Sequence, residues 1–522
     1  MKTFFYLIAI LCVSISATAQ PEIQWQKSIG GNNAEYANHI KALSDGTFIA
    51  AGYSESNDGD FSGNHGNSDF AVVKLNSSGQ ILWQKLYGGS EDDECTSFVQ
   101  TADGGFVLAG YTYSYDGDVT GNHGSYSSDF WIVKIDASGT IVWKYAYGGS
   151  YEDEANAIAL CSDGGFIVAG ITYSSNGDVS GNHGDTDYWV IRLNSSGQLQ
   201  WQKCLGGSNH EEAYSVIQTS DDGFIVCGRS SSNDGDVTGN NGGTDCWVVK
   251  LNASGAIEWQ KSYGGTDTEE TNSIIQLADG NYIFFGYSCS NDGDVSGQHN
   301  PGSGNDDYWV VKINSTGTLL WQKCLGGSLS EQGQKIMPLN DGGFLLTGLC
   351  TSNDGDVSGI HSGFYSPDYW VVKINSTGVL AWQKCLGGSD QDEALSIAVT
   401  SDGGCIISGF SYSTNGDVTG HHSQTDWWIV KLASFSGIEN ILTKNHLEIY
   451  PNPCKNKLYL SQPDFPQTPL LCNIYSANGK LIASFIINNF NSEIDIKSFD
   501  SGLYHISLTS DKINFSGKFI KE

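Results

Sequence analysis

The order of apolar and polar residues divides the chain into short strands separated by turns and loops. Residues 94–100 alternate as a half-buried strand does, and residues 106–111 form a continuous apolar run suited to burial on both faces. A long polar loop, 114–129, leads to a third strand at 130–134 and a fourth at 141–144. Because glycine-rich turns join the strands in hairpins, the pattern predicts four short antiparallel strands in this unit.

The same pattern recurs seven times along the chain. Each unit opens on a tryptophan strand, usually Trp-Gln-Lys followed by Gly-Gly, at a period of about 60 residues. The opening tryptophans are Trp25, Trp83, Trp143, Trp201, Trp259, Trp321 and Trp382. A regular period of this kind indicates one structural module repeated around or along an axis, and four strands per module are typical of a β-propeller blade.

The two ends of the array predict that it closes on itself. The seventh unit stops after its third strand, Trp428-Ile429-Val430-Lys431, whereas a spare Trp-Gln-Lys strand stands at the other end, at 22–28. A ring closes when this N-terminal strand completes the last blade, and closure removes the exposed sheet edges. We therefore predict an all-β chain with a closed seven-bladed β-propeller over residues 20–432.

Residues 1–19 have the features of a secretory signal peptide. Lys2 supplies a basic start, residues 4–13 an apolar stretch, and Ala17-Thr18-Ala19 a cleavage site of small residues. The alternative is a membrane anchor, but about ten apolar residues are too few to span a bilayer. Since no later segment approaches that length, we expect an exported chain with no transmembrane segment in its mature form.

The distribution of charge limits the possible partners. The chain has a net charge of −32, yet acidic residues and lysines balance one another from residue 433 to the end. The surplus of negative charge therefore lies in the repeats. It argues against nucleic acid or an anionic membrane as a partner and favours cationic or neutral ligands.

The tryptophans and cysteines have structural interpretations. All fourteen tryptophans lie in the repeats at regular strand positions, which favours packing between blades over a platform that stacks sugars. Cysteines at one strand position in separate repeats cannot pair with each other, so most are expected to be buried thiols. A disulfide between Cys454 and Cys472 remains an alternative.

The long loop of each unit carries three sets of acidic residues. One set precedes a glycine, and Asn176 and Asn415 replace the aspartate in two units; its members are Asp58, Asp116, Asp234, Asp292 and Asp354. A second set follows that glycine and is called here the Gly-Asp set: Asp60, Asp118, Asp178, Asp236, Asp294, Asp356 and Asp417. A third, the pre-strand set, stands just before the third strand: Asp69, Asp129, Asp187, Asp245, Asp307, Asp368 and Asp426.

A further acidic series follows the Gly-Gly pair where one unit passes to the next, and Gln332 interrupts it. We assign six residues to this series: Glu35, Glu94, Glu154, Glu212, Glu270 and Glu393. If strands alternate up and down, this junction and the long loop emerge on the same face. One face is then acidic and long-looped, and a function that uses a face would use this one.

Clustered carboxylate and amide oxygens suit calcium, so the three loop sets are candidate calcium ligands. The spacing does not match an EF-hand loop. The alternative is that Asp and Asn bond to their own backbone and shape the turns. Both interpretations remain open. The loop histidines are expected to be packing residues, with Asn241 in the fourth unit: His65, His123, His183, His299 and His361.

Catalysis needs an asymmetric site, such as two carboxylates placed across one bond. Here the carboxylates come in sevenfold copies and no unit adds a catalytic constellation. The first hypothesis is therefore a non-catalytic binding or adhesion module for a glycan or a protein. The alternative is an exported polysaccharide-degrading enzyme of the glycoside hydrolase kind.

The chain changes character after the repeats, with a linker at 433–446 and a small β-rich domain at 447–522. This domain contains Tyr450-Pro451-Asn452-Pro453, Ile474-Tyr475 before Gly479-Lys480, Ser501-Gly502-Leu503-Tyr504 and Gly517-Lys518-Phe519-Ile520. In this order the motifs resemble the type A C-terminal sorting domain of the type IX secretion system in Bacteroidota. A plain accessory sandwich domain is the alternative.

That resemblance implies Sec export to the periplasm, recognition of a small C-terminal β-sandwich by the type IX machinery, and passage through the outer membrane. The protein would then be secreted or attached to the cell surface. The repeats more loosely resemble β-propeller repeats of exported bacterial proteins, which indicates no particular ligand.

Overall fold

A computed structural model describes residues 20–124, 126–302, 304–361, 363, 366–435, 448–450, 452–461, 470–476, 480–487, 493–510 and 513–522. The predicted signal peptide, 1–19, and most of the predicted linker lie outside these residues. The chain divides into two compact units, Met1–Ala433 and Ser434–Glu522. The described residues are all-β, and among them no helix is long and apolar enough to cross a membrane.

The first unit consists of four-stranded antiparallel sheets that repeat along the chain, an arrangement consistent with a propeller. The first strands are β2 (Glu35–Ala42), β6 (Asp93–Gln100), β10 (Asp153–Leu160), β14 (Glu211–Gln218), β18 (Glu269–Gln276), β22 (Glu331–Pro338) and β26 (Asp392–Val399). The second strands are β3 (Phe48–Ser54), β7 (Phe106–Thr112), β11 (Phe166–Thr172), β15 (Phe224–Ser230), β19 (Tyr282–Ser288), β23 (Phe344–Cys350) and β27 (Cys405–Ser411).

The third strands are buried along almost their whole length: β4 (Asp69–Leu75), β8 (Asp129–Ile135), β12 (Asp187–Leu193), β16 (Asp245–Leu251), β20 (Asp307–Ile313), β24 (Asp368–Ile374) and β28 (Asp426–Leu432). The fourth strands carry the Trp-Gln-Lys pattern: β5 (Ile81–Tyr87), β9 (Ile141–Tyr147), β13 (Leu199–Leu205), β17 (Ile257–Tyr263), β21 (Leu319–Leu325), β25 (Leu380–Leu386) and β1 (Ile23–Ile29). We number the sheets 1 to 7 in the order of their first strands.

The N-terminal strand belongs to the last sheet. Strand β1 pairs antiparallel with β28, and the order of that sheet is β1-β28-β27-β26. Each first strand contacts the first strand of the next sheet, and β26 contacts β2. One hydrophobic cluster joins Ile40 and Phe48 of sheet 1 to Ile406 and Trp427 of sheet 7. The first and last sheets of the array therefore pack together.

Aromatic side chains fill the contacts between sheets, as the regular positions of the tryptophans predict. Trp131 of sheet 2 is fully buried and packs edge-on against Phe70 of sheet 1, with ring centroids 4.6 Å apart. Tyr188 of sheet 3 packs against Trp247 of sheet 4 and donates a hydrogen bond to its carbonyl at 3.0 Å. Such pairs bury large apolar areas and fix the spacing of neighbouring sheets.

The second unit has two antiparallel sheets. One contains β29 (Glu448–Tyr450), β30 (Lys457–Ser461) and β33 (Glu493–Asp495); the other contains β31 (Leu470–Ser476), β32 (Leu481–Ile487), β34 (Gly502–Ser510) and β35 (Ile513–Lys521). A single core that includes Leu458, Ile474 and Ile506 lies between them. Cys454 and Cys472 are buried in this core as free thiols, so the structure does not contain the disulfide considered as an alternative.

One repeat lacks a hydrogen bond that its counterparts make. In sheet 3 the indole N–H of Trp189 donates to the side chain of Gln202 at 2.9 Å, and the same bond recurs in sheets 4 to 7. Sheet 2 has Lys144 at the glutamine position, and the buried indole N–H of Trp131 has no acceptor. A buried donor without a partner costs about 1–3 kcal/mol.

We expect Lys144→Gln to stabilise the protein by about 1 kcal/mol, because the new amide oxygen accepts the Trp131 N–H. Thermal melting of the variant against the parent chain measures the gain. Lys144→Met is the matched control, since it removes the same charge without supplying an acceptor. Equal melting temperatures for the two variants would contradict this account.

Candidate functional site

The junction loops and the long loops emerge at the same edge of each sheet, as strand parity predicts. In sheet 2 the register pairs Asp93 with Thr112, Thr112 with Asp129, and Phe130 with Tyr147. The start of the first strand, the end of the second, the start of the third and the end of the fourth therefore lie together. We call this edge the loop-bearing edge.

The residues that precede the loop glycine shape the backbone. Asp116 Oδ1 accepts the backbone N–H of Ser90 in the junction loop at 2.8 Å. The other units repeat this contact at 2.7–2.9 Å, including those in which Asn176 and Asn415 stand at this position. A neutral amide oxygen serves as well as a carboxylate, which explains why Asp and Asn alternate here. This geometry supports the loop-shaping interpretation for these residues, namely Asp58, Asp116, Asp234, Asp292 and Asp354.

The Gly-Asp set ties the long loop to the junction glycines by its backbone. The N–H of Asp118 donates to the carbonyl of Gly88 at 2.7 Å, and all seven units make this bond at 2.7–2.9 Å. The carboxylates remain partly exposed. In sheet 3, for example, 31% of the Asp178 side chain is exposed.

The pre-strand set is different, because all seven of its side chains are completely buried. In sheet 2, Oδ2 of Asp129 accepts hydrogen bonds from the backbone N–H of His123 at 2.9 Å and from its ring Nδ1 at 2.6 Å. The other oxygen, Oδ1, has no hydrogen-bond partner within the described part of the chain, and the same is true in all seven sheets. A buried oxygen without a donor is costly, so each unit needs another way to satisfy it.

A second buried carboxyl group lies beside each of these oxygens, at the first residue of each first strand. This strand-opening set is also completely buried: Glu35, Asp93, Asp153, Glu211, Glu269, Glu331 and Asp392. Our sequence interpretation contained only Glu35 of this set and took the following residue in the other units. An acidic residue at the strand-opening position in every unit, against Tyr36 and Gln332 at the next position, is the signal that distinguishes the two series.

The first junction glycine holds the two carboxyl groups side by side. A β-carbon on Gly88 would stand 2.5 Å from Oδ1 of Asp69 and 2.5 Å from Oδ2 of Asp93. Asp93 Oδ2 also accepts the N–H of Gly89 at 2.7 Å and the hydroxyl of Ser114 at 2.9 Å. Only glycine leaves room for this arrangement, which explains the first glycine of the Gly-Gly pair after every fourth strand.

Burial is the main cause of the raised pKa values at these pairs. It raises the pKa of Asp93 to about 7 against several hydrogen bonds that lower it, and the charge of Asp69 raises it further. Burial likewise raises the pKa of Asp153, Glu331 and Glu35 to about 7. Every pair has at least one carboxyl group with a raised pKa. A proton held by one member relieves the repulsion within a pair.

Most of the loop histidines link neighbouring sheets. His361 of sheet 6 places Nδ1 2.8 Å from Asp368 of its own sheet and Nε2 3.5 Å from Asp417 of sheet 7. His422 of sheet 7 contacts Asp426 and, across the junction, Asp60 of sheet 1. The sequence interpretation omitted His422, and in sheet 4 Asn241 makes the bonds to Asp245. These contacts agree with the expected packing role and add a bridge between sheets.

Apart from Glu35, the glutamates predicted from the sequence to form the junction series lie near one end of a cavity. First strands from all seven sheets line this cavity, whose volume is about 470 Å³. Glu94, Glu154, Glu212, Glu270 and Glu393 lie two residues before cavity-lining positions on these strands, toward the loop-bearing edge. We call these five glutamates the mouth glutamates.

The mouth glutamates are close enough to repel one another. Burial raises the pKa of Glu154 to about 7, and the charges of Glu94, Glu152 and Glu212 contribute to the rise. Arg229 is the cation that offsets this repulsion, with contacts of 2.9 Å to Glu212 and to Glu270. The mouth therefore holds a concentration of partly exposed negative charge.

Calcium coordination requires more oxygen ligands than one carboxyl pair supplies. Among the described residues, no group of three or more His, Cys, Asp or Glu side chains could hold a metal ion. The three loop sets lie at different depths, and one of them is already committed to backbone N–H groups. Calcium binding by these loops stays a prediction.

Comparisons with known proteins agree with the division into two units. Residues 448–522 match the family described as the secretion system C-terminal sorting domain, Por_Secre_tail. This match supports a type IX secretion sorting domain at the end of the chain, as the motifs indicated. Such a domain implies interaction with the type IX machinery and export to the cell surface or the extracellular space.

The repeats have more distant relatives. The regulatory protein FlaEY of Caulobacter vibrioides is 24% identical over 389 residues, which cover 66% of this chain and 39% of that protein. The chain thus spans about two fifths of the length of this relative.

Similar solved structures include Sqt1 from Chaetomium thermophilum, with 9% identity, a TM-score of 0.41 and coverage of 80% of this chain and 99% of that chain. A puromycin hydrolase has 11% identity, a TM-score of 0.43 and coverage of 93% and 60%. Prolyl oligopeptidase B from Galerina marginata has 11% identity, a TM-score of 0.38 and coverage of 91% and 55%. These low scores say nothing about the activity of this chain.

The carboxyl pairs predict how stability depends on pH. Carboxyl groups in an unfolded chain titrate near pH 4, whereas one member of several pairs titrates near pH 7 in the folded state. Between these values the folded state binds more protons, so stability falls as pH rises from about 4 to about 7. We expect a lower melting temperature at pH 8 than at pH 5.

Asp93→Asn should weaken this dependence and raise the melting temperature at pH 8, because the neutral amide removes the charge that repels Asp69. Asp116→Asn is the control, since asparagine occurs at that position in two other units and should leave the pH dependence unchanged. A melting temperature that is constant or rises from pH 5 to pH 8 would contradict the account.

Proposed function

We propose that this chain is an exported, non-catalytic binding or adhesion module whose seven repeats close into a propeller ring. Three observations support closure. Strand β1 completes the sheet of β28, the first strands contact one another in a cycle that returns from β26 to β2, and all seven first strands line one cavity. The type IX sorting domain delivers this module to the cell surface or the extracellular medium.

The observation that carries the binding role is the convergence of the mouth glutamates at one end of the axial cavity. Five of the repeats deliver one acidic side chain each to a common place. Burial raises the pKa of four of these carboxyl groups, which makes their charged forms costly for the folded protein: Glu94, Glu154, Glu270 and Glu393. They are well suited to a ligand that brings positive charge or hydroxyl donors. The ligand is an extracellular glycan or an extracellular protein.

Second-strand partners of the mouth glutamates add contact area at the same place. The hydroxyl of Tyr111 donates to Glu94 at 2.6 Å, and Tyr287 pairs in register with Glu270. Tyrosine combines an apolar ring with a polar hydroxyl, and it is enriched at binding interfaces. The mouth thus offers aromatic surface and carboxylates together.

A binding screen tests this proposal. The full chain without residues 1–19 is applied to arrays of purified glycans and bacterial surface proteins, and Glu154→Gln is applied in parallel. We expect a ligand whose Kd rises at least about tenfold in Glu154→Gln, which corresponds to about 1.4 kcal/mol. Glu22→Gln removes the same charge at an exposed position near the N-terminus and should bind as the parent does.

Two outcomes would overturn the proposal. One is that neither array yields a ligand. The other is hydrolysis of a glycan that a single carboxylate substitution abolishes, which would favour the alternative of a polysaccharide-degrading enzyme.

A further inference from the structure

Sheet 2 carries an aromatic pocket that breaks the symmetry of the repeats. A cavity of about 460 Å³ at the loop-bearing edge is lined by Glu91, Asp92, Tyr113, Tyr115 and Tyr126. Its volume lies in the range of small-molecule binding pockets, about 300–1,000 Å³. The pocket is built from one long loop and one junction loop. None of the mouth glutamates lines it.

Tyr115 of this pocket departs from the repeat pattern, whereas Tyr113 recurs as Tyr173 and Tyr412 in sheets 3 and 7. The position of Tyr115 is occupied by Asn57, Asn233, Asn291 and Asn353 in four other units. Each of these asparagines accepts the backbone N–H of a loop glycine, at 2.9–3.3 Å, and so closes its own loop. Sheet 2 has a tyrosine at this position, and sheets 3 and 7 have Ser175 and Thr414, so an aromatic ring occurs here in sheet 2 alone.

The hydroxyl of Tyr115 holds a second tyrosine in place. It accepts the backbone N–H of Tyr126 at 3.0 Å and donates to the carbonyl of Gly124. Tyr126 has a φ of 68°, an unfavourable conformation for a bulky residue, and 94% of its surface is exposed. Folding alone gains little from an exposed aromatic ring on a strained backbone, so the exposure of Tyr126 fits a role in binding.

Carboxylates border the same aromatic surface. Asp92 Oδ1 accepts from the backbone N–H of Ser68 at 3.3 Å and from its hydroxyl at 3.1 Å, and within the described part of the chain no hydrogen bond reaches Oδ2. The carboxylate of Glu91 is exposed and makes no hydrogen bond or ion pair among the described residues. Phenol groups can donate and accept, whereas carboxylates only accept. A ligand with many hydroxyl groups matches this mixed set better than an ammonium group, which can only donate.

We propose that this tyrosine pocket binds a neutral saccharide. A sugar ring lies with its C–H face against Tyr126, and its hydroxyl groups donate to Glu91 and Asp92. The negative charge of the pocket excludes acidic sugars such as uronates. The inference rests on the proposed binding function and names the ligand class for a site distinct from the mouth glutamates.

Calorimetric titration of the full chain without residues 1–19 tests the inference. The probes are neutral hexasaccharides of glucose, mannose, xylose and N-acetylglucosamine, with hexagalacturonate and hexalysine as charged comparisons. We expect at least one neutral hexasaccharide to bind and hexagalacturonate not to bind. Tyr126→Ala should raise the Kd at least about tenfold, since it removes the stacking surface.

Two further variants make the result specific. Tyr115→Phe keeps the ring but loses the hydroxyl that positions Tyr126, so a smaller rise of about threefold is expected. Tyr173→Ala is the matched control, because Tyr173 holds the position of Tyr113 in sheet 3 and does not line the pocket. Unchanged melting temperatures show that the variants remain folded.

Several results would overturn the inference. Equal saccharide affinity in Tyr126→Ala and the parent would do so, as would binding of hexalysine alone, which would indicate a basic protein partner. Saccharide binding that Glu154→Gln abolishes and Tyr126→Ala leaves intact would refute this pocket while supporting the mouth glutamates. Absence of binding to every hexasaccharide would refute the saccharide pocket, and a protein ligand found at the mouth would then leave the proposed function intact.

Discussion

A pair of buried carboxyl groups beside the first junction glycine is the constraint on which each repeat depends. Asp69 and Asp93 lie on either side of Gly88, and six equivalent pairs repeat the arrangement along the chain. One carboxyl group anchors the start of a third strand and the other the start of the next first strand. Each pair therefore fixes the passage from one sheet to the next. Each pair leaves a buried carboxylate oxygen without a hydrogen-bond donor. The raised pKa of groups such as Asp93 allows one carboxyl group of the pair to hold a proton, which offsets this cost.

The repeated parts provide stability, and the departures from repetition provide chemistry. Third-strand tryptophans, junction glycines and loop acceptors recur in nearly every unit because neighbouring sheets must pack alike. The mouth glutamates use this repetition to gather charge around one cavity. The tyrosine pocket of sheet 2 instead replaces a loop-closing asparagine by Tyr115 and exposes Tyr126. Because the same stabilising contacts recur in seven sheets, the fold can tolerate the replacement of one loop asparagine by tyrosine.

Much of this architecture could be predicted from the sequence because strand alternation and repeat period are local signals. The four strands of each unit and the partnership of strand 22–28 with the last sheet both follow from them. Apart from Glu35, the strand-opening carboxyl groups were missed because Asp93 stands next to Glu94, and a shift of one position along a strand moves a side chain to the other face of the sheet. The different roles of Asp58, Asp60 and Asp69 could not be separated, since they depend on loop contacts across the junction. The pocket around Tyr126 needed the folded loop for the same reason.

Infrared difference spectroscopy of buried protonated carboxyl groups tests the central claim most directly. If the pairs share protons, the folded protein at pH 5 shows a carbonyl-stretch band from protonated carboxyl groups shielded from water. That band should fade as the pH passes through about 7, the pKa of Asp93, and it should weaken in Asp93→Asn. The control Asp116→Asn should retain the full band. A folded protein that shows no such band at pH 5, or a band that disappears near pH 4 as in an unfolded chain, would contradict the account.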